Sequence, residues 1–143
     1  MKKAFSIAVI SCMVAFSCLF SSCKPEEEGD WIFTIELDAA GINSSAHQHF
    51  FLFIEPTMIN VMKNDADRYS VGGQSLYFYG RESAALNRAK KSFKKAYKAI
   101  ESNPEDVASL SGIKVDLYRY RLNFNPDEVS NSSAGEVIDS HTF

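Results

Sequence analysis

The sequence predicts an α+β domain with a mostly antiparallel sheet of about four to five strands and one long amphipathic helix packed on one face. Two patterns carry this prediction. Residues 31–38, WIFTIELD, alternate apolar and polar side chains as a half-buried strand does. Residues 82–102 repeat apolar side chains at helical spacing. The predicted order of strands, a helix and then a further strand is typical of this fold class.

Ahead of the domain, the chain begins with the pattern of an export signal. Lys2 and Lys3 precede an uncharged stretch, residues 4–22, that is rich in Ala, Val, Ile, Phe and Leu. This order of charge, apolar run and small residues is that of a signal peptide. A retained transmembrane helix is the alternative, because the stretch is long enough to span a bilayer. The recurring serines and the acidic residues that follow favour a cleaved signal over a membrane span.

The end of this stretch, residues 19–23 (LFSSC), resembles the lipobox of bacterial lipoproteins. In that family small residues precede a cysteine that is diacylated and becomes the new N-terminus. The resemblance implies removal of residues 1–22 and lipidation of Cys23. Phe20 stands where the family usually has Leu, and Leu19 lies one residue further back. Two or more acyl chains hold a protein stably on a membrane, so the domain would be anchored without a spanning helix.

Residues 23–30, CKPEEEGD, are expected to form an acidic tether. Pro25 and Gly29 interrupt regular structure, and the clustered acids repel one another into an extended chain. The segment resembles the acidic stretch after the cysteine that some Gram-negative lipoproteins use to reach the cell surface. That resemblance implies a lipid-anchored protein of the cell outer membrane, with the domain facing either the periplasm or the exterior. A plain solvated spacer is the alternative.

The remaining residues, 31–143, are enough for a single domain with a modest hydrophobic core. Once residues 1–22 are removed, Cys23 is the last thiol, so no internal disulfide can form. The chain has a formal net charge of −3, and the loss of Lys2 and Lys3 makes it more acidic. We therefore expect no nucleic-acid partner, for which a basic domain is typical.

Between the first strand and the long helix, the pattern is mixed. Residues 39–48 are rich in Gly, Asn and Ser, which predicts a loop. Residues 49–55, HFFLFIE, are almost continuously apolar and predict a strand covered on both faces, ended by Pro56. Residues 57–74 are ambiguous and fit a short strand or a helical turn. Residues 75–80, SLYFYG, predict a short aromatic strand.

The long helix gives the strongest local signal. Its apolar stripe consists of Leu86, Ala89, Phe93, Ala96, Tyr97 and Ile100. Its cations fall outside that stripe and have almost no acidic neighbours on the helix: Arg88, Lys90, Lys91, Lys94, Lys95 and Lys98. After it, Asn103 is expected to cap a second short helix that has Pro104 at its first position and ends at Gly112.

The last predicted strands follow that short helix. Residues 113–124, IKVDLYRYRLNF, predict the longest strand, but its apolar face changes side near Leu117. A bulge or a change of partner strand at that point would explain the switch. Beyond it, residues 136–139 predict at most one edge strand.

The sequence contains no recognisable catalytic or cofactor motif, and we expect no cofactor and no metal. His47 and His49 would share a face of an extended segment, but such pairs are more often incidental than ligands. Asp65 and Asp67 faintly resemble a calcium loop, yet Ser70 and Leu76 stand where Gly and a bidentate Glu are needed, so a polar turn is expected.

Two sets of side chains remain as candidate binding residues. The basic set is Lys91, Lys94, Lys95 and Lys98, whose alternative is a plain solvated helix face; the aromatic set is Tyr118 and Tyr120, whose alternative is an aromatic core. We therefore expect a lipid-anchored cell-envelope protein that is a binding or accessory module of an outer-membrane or surface assembly, with a protein or saccharide partner. The alternative is a small envelope hydrolase whose carboxylates are not identifiable from the sequence.

Overall fold

A computed structural model describes residues 26–38, 40–70, 74–120 and 135–143. Its elements along the chain are β1 (Glu28–Leu37), α1 (Ser44–His49), a π-helical turn (Phe50–Ile54), α2 (Glu55–Met62), β2 (Arg68–Ser70), β3 (Ser75–Arg81), α3 (Glu82–Glu101), α4 (Pro104–Leu110), β4 (Lys114–Tyr120) and β5 (Glu136–Thr142). The strands form one antiparallel sheet in the order β2-β3-β1-β4-β5. The predicted α+β fold is confirmed.

The core lies on one face of this sheet, which we call the helix face. Alternation in β1 sends Trp31, Phe33 and Ile35 to that face, where they pack with apolar residues of β3, β4 and the helical segments. The rings of Phe33 and Phe78 meet edge to face at 5.4 Å between centroids. Strand β1 is the central strand of the sheet, between β3 and β4, and its buried side chains lie in the middle of the core.

Helix α3 forms where the apolar stripe predicts it. Its buried side chains are Ala85, Ala89, Ser92, Phe93, Ala96 and Ile100. Three of these residues are alanines, whose small side chains allow close packing of the helix against the core, and Phe93 is fully buried. The short helix α4 begins as expected, because the Asn103 side chain accepts a hydrogen bond from the Glu105 backbone N–H and Pro104 follows the cap.

The prediction of a buried strand over residues 49–55 is wrong. These residues belong to α1, the π-helical turn and the start of α2, and in the turn only Phe50 and Ile54 are buried. Phe51, Leu52 and Phe53 are 43%, 67% and 58% exposed. A short apolar run does not distinguish a buried strand from a helix by periodicity alone.

The prediction of a loop over residues 39–48 is also wrong in its second half, because residues 44–48 belong to α1. The Asn43 side chain accepts a hydrogen bond from the Ala46 backbone N–H at 2.8 Å and so caps α1. The ambiguous stretch 57–74 contains the rest of α2, a turn and β2. Helix α2 buries Met58, Ile59 and Met62 against the core.

A register shift occurs at the predicted place, between Leu117 and Tyr118, but β4 does not change its apolar face there, because its register with β1 is unbroken. Leu117 is opposite Asp139, but Tyr118 is opposite Val137, so Ile138 is the extra residue of a bulge in β5. The expected edge strand is also present and is longer than predicted, since β5 extends to Thr142. Residues 121–124, the predicted end of the long strand, lie outside the described residues.

The N-terminal part of the described chain is tied to the sheet and to α3. Strand β1 begins at Glu28, within the stretch expected to be a tether, and Glu28 is opposite Arg81. The Glu26 carboxylate accepts hydrogen bonds from the Ser83 hydroxyl at 2.6 Å and the Ser83 backbone N–H at 3.3 Å, next to the first turn of α3. Cys23 and the predicted signal peptide lie outside the described residues. Within the described ranges, no helix is long and apolar enough to cross a membrane.

Candidate functional site: a tyrosine face and an adjoining groove

The second face of the sheet, opposite the helix face, carries a row of aromatic and aliphatic side chains that crosses four strands. Strand register places Arg68 opposite Tyr77, Tyr77 opposite Ile32, and Ile32 opposite Tyr120. The next positions on this face are Tyr79, opposite Asp30, and Tyr118, opposite Thr34. We call the four tyrosines, Tyr77, Tyr79, Tyr118 and Tyr120, the tyrosine face.

The tyrosine face is ordered by contacts between its rings and their neighbours. The Arg68 guanidinium lies 4.3 Å from the centroid of the Tyr77 ring, a cation–π distance. The Tyr118 and Tyr120 rings are 6.4 Å apart and inclined by 25°. A Cβ atom on Gly135 would lie 2.7 Å from the Tyr120 ring, so a larger residue at this position would displace that ring. Tyr79 is 56% exposed and is available for contact.

Tyr120 connects the tyrosine face to an acidic side chain. Its hydroxyl donates a hydrogen bond to the Glu36 carboxylate, and Thr34 also donates to Glu36, at 3.4 Å. The bond to the Glu36 carboxylate raises the pKa of Tyr120, and partial burial raises it further. The phenol therefore stays protonated at neutral pH and acts as a hydrogen-bond donor.

A groove of about 480 Å³ adjoins Tyr120 at the edge of β1. It is lined by residues 34–37 of β1 together with Phe51, Glu55, Gln74 and Tyr120. Consecutive residues of a strand point to opposite faces, so a groove that touches four in succession meets the strand at its edge. The groove contains apolar surface from Phe51 and carboxylates from Glu36 and Glu55.

Glu55 is the buried acid of this groove, with 5% of its surface exposed. Burial raises the pKa of Glu55, although a hydrogen bond from Gln74 opposes that shift. With its amide nitrogen turned toward Glu55, Gln74 donates to the carboxylate at 3.2 Å. Glu36, by contrast, is exposed. The groove therefore holds two carboxyl groups in different environments.

The basic helix lies elsewhere, and two of its cations have acidic partners that we did not expect. Lys95 Nζ lies 2.8 Å from Asp65 Oδ2, and Arg88 binds Asp67. These acids belong to the turn between α2 and β2, the polar turn expected there. Their contacts hold the pKa values of both Asp65 and Asp67 below the usual range.

The remaining candidate lysines, Lys91, Lys94 and Lys98, are exposed and form no ion pair with the described residues. Because α3 packs on the helix face, these lysines and the tyrosine face lie on opposite sides of the sheet. The structure therefore brings Tyr118 and Tyr120 together, and brings neither of them to the lysines.

The two histidines of the sequence HQH are part of α1, not of an extended segment. Two residues apart in a helix, they point in different directions, and each ring packs on the ring of a phenylalanine one turn later. The His47 and Phe51 centroids are 4.7 Å apart, and those of His49 and Phe53 are 5.2 Å apart. Within the part of the chain that the structure describes, no group of three His, Cys, Asp or Glu residues is arranged to hold a metal ion.

Comparisons with models of protein families, with curated proteins and with solved structures found no match to this chain. Inference about function therefore depends on the geometry of the chain itself.

Several residues of the groove were not predicted from the sequence as site residues. Gln74 and Glu55 are separated in sequence and meet where the first residue of α2 lies beside the residue that precedes β3. One signal was available, since Glu55 is an acid at the end of the apolar run 49–55. Tyr77 and Tyr79 alternate in β3 with the buried Phe78, and that alternation predicts their common face.

Proposed function

We propose that this protein is a lipid-anchored component of the cell outer membrane whose domain is the binding module of an envelope assembly, with the tyrosine face as its binding surface. The observation that supports this proposal is the set of four tyrosines on the sheet face away from the helices, of which Tyr79 is 56% exposed and the other three are partly exposed. Large aromatic surfaces that are not covered by the protein's own helices mark interaction sites.

The ligand that this surface suits is a saccharide of the envelope. Tyrosine rings offer flat apolar surface for the C–H face of a sugar, and their hydroxyls can bond to sugar hydroxyls. Arg68 and Asp30 lie 3.6 Å apart beside the rings, and Glu36 lies beside Tyr120. These charged groups supply the few directional hydrogen bonds that fix orientation in a largely apolar site.

Co-sedimentation of the purified full chain in detergent with peptidoglycan sacculi, and with lipopolysaccharide, tests this ligand class. We expect binding by the wild type, and a loss of about tenfold in Tyr79→Ala with Tyr118→Ala, since aromatic ring contacts contribute about 0.5 to 1.5 kcal/mol each. Phe53→Ala is the matched control, because it removes an aromatic ring of similar exposure elsewhere (58% against 56%). Absence of wild-type binding, or equal loss in the control, refutes the saccharide assignment.

The membrane anchor is tested separately. Metabolic labelling with a fatty acid should mark the wild type and not Cys23→Ala, and the labelled protein should fractionate with the outer membrane. Equal labelling of both proteins would end the lipoprotein proposal, and labelled protein found with the inner membrane would end the proposed location.

A small hydrolase is the second candidate function, and the groove is the observation that favours it. Glu55 is buried and has a raised pKa, whereas Glu36 is exposed, and paired carboxyls with contrasting environments serve as acid and base in hydrolases. Incubation with peptidoglycan fragments, followed by mass spectrometry, distinguishes the two functions. Products that disappear in Glu55→Gln favour the hydrolase, and an unchanged substrate favours the binding module.

A further inference from the structure

The groove lies where β1 loses its neighbour on one side. Pairing between β1 and β3 ends with Phe33 opposite Leu76, whereas pairing with β4 continues to Leu37 opposite Val115. By the same register Gln74 would be opposite Ile35, but it is a turn residue with a positive φ of 51° and does not pair with β1. Among the residues that the structure describes, the last part of β1 is therefore a local strand edge inside the sheet.

The hydrogen-bonding direction of this edge follows from one contact. The Asp38 backbone N–H donates to the Lys114 carbonyl at 3.0 Å, so the peptide groups of Asp38 point toward β4. Peptide groups alternate in direction along an antiparallel strand. Those of Ile35 and Leu37 must then point the other way, into the groove.

No backbone group within the described ranges pairs with Ile35 or Leu37 on that side. Ile35 has only 5% of its surface exposed, and peptide groups in such positions are nearly always hydrogen-bonded. An unpaired strand edge is a template for another strand. The two peptide groups thus provide directional sites for one added strand of three to four residues.

We propose that this groove binds an extended peptide segment of a partner protein, added as a strand to β1 beside Ile35 and Leu37 and carrying a basic side chain over Glu36 and Tyr120. Main-chain bonds to the strand edge supply affinity in this mode of recognition, and alternate side chains supply specificity. The proposal goes beyond saccharide binding by the tyrosine face and does not depend on it.

The chemistry of the two walls defines the peptide. On the outer side, a lysine or arginine would meet the Glu36 carboxylate and the Tyr120 ring, which favour a cation. On the helix side, the neighbouring residues would meet Phe51, which is 43% exposed and favours an apolar side chain. The described lining contains two carboxylates and no cation, so charge complementarity selects a basic segment.

A designed octapeptide of alternating valine and lysine, blocked at both ends, is the probe for this site. We expect the full chain in detergent to bind it in fluorescence polarisation, with binding that weakens as salt is added. Binding should fall about tenfold in Glu36→Gln, and the same peptide with glutamate in place of lysine should not bind. Glu105→Gln, an acid-removing control on α4 that does not line the groove, should bind as the wild type does.

Two readouts separate strand addition from nonspecific attraction. N-methylation of alternate peptide bonds removes donors without changing charge, and one of the two methylation registers should abolish binding. The amides of Ile35 and Leu37 should gain protection from hydrogen exchange when the peptide is added. Unchanged affinity of both methylated peptides, no added protection, or a protein dimer that already occupies the edge would each overturn the proposal.

Discussion

Arg88 binds the Asp67 carboxylate in a bidentate manner: Nη1 donates to Oδ2 at 2.9 Å and Nη2 donates to Oδ1 at 3.1 Å. The same side chain donates to the backbone carbonyls of Asp65 and Tyr79. One residue of α3 thereby joins the turn after α2 to strand β3. A bidentate arginine within a network contributes more than an isolated surface pair does.

Arg88→Met should therefore lower the free energy of unfolding by about 1 kcal/mol. We expect no larger effect because the side chains of Arg88 and Asp67 are 42% and 44% exposed, so water screens their attraction. Lys94→Met is the matched control, because Lys94 lies on the same helix without an ion-pair partner in the described chain. Urea unfolding of both variants measures the difference. Equal stability of the two variants would show that the Arg88 network contributes nothing.

Acid should destabilise the protein through Asp65 and Asp67. Hydrogen bonds from Lys95 and Arg88, respectively, lower their pKa values below the ordinary 3.8, so the unfolded state binds their protons first. Their contribution is full above the unfolded pKa and is lost as pH falls through the folded pKa. In urea titrations below about pH 4, Asp67→Asn should lose less stability per pH unit than the wild type. A parallel decline in both proteins would contradict this assignment.

Truncation of Phe93 should destabilise the protein strongly, whereas truncation of Phe53 should have almost no effect. Phe93 is fully buried between α3 and the sheet, so Phe93→Ala should cost about 3 to 5 kcal/mol. Phe53→Ala should change stability by no more than about 0.5 kcal/mol, since its side chain is 58% exposed. Thermal unfolding of both variants tests the helical assignment of residues 49–55. A large loss in Phe53→Ala would instead favour the buried strand.

The unpaired lysines of α3 should control contact with anionic surfaces. Lys91→Glu with Lys94→Glu should weaken retention on phosphatidylglycerol liposomes at low salt, and leave stability within about 1 kcal/mol, as surface changes do. Lys95 is unsuitable for this variant because it binds Asp65. Retention equal to that of the wild type would leave these lysines as a solvated helix face.

Much of the architecture follows from local patterns in the sequence. Trp31, Phe33 and Ile35 alternate because one face of β1 is buried, and the stripe of α3 repeats because one side of a helix is buried. A register shift near Leu117 was expected because apolar side chains occur on both faces of that strand, but the extra residue, Ile138, lies in β5, and β4 itself alternates without interruption.

What the sequence did not reveal depends on tertiary contacts. Residues 49–55 are almost all apolar, so they show neither the alternation of a strand nor the spacing of a helix. Their helical form depends on the cap at Asn43 and on the packing of Phe50 and Ile54. The partners Asp65 and Lys95 lie 30 positions apart, and Glu36 and Tyr120 lie 84 apart. Such pairs depend on strand order and helix placement, which local periodicity does not contain.

The central place of β1 has a mechanical consequence. A pull on the residues ahead of Glu28 enters the sheet along β1, whose hydrogen bonds to β3 and β4 run across the direction of pull. These bonds are loaded in shear and must yield together, in contrast to an edge strand peeled away one bond at a time. The groove lies toward the far end of the same strand, roughly 20 to 30 Å from Glu28. A partner held there and the proposed membrane anchor would therefore pull on opposite ends of the central strand of the described sheet.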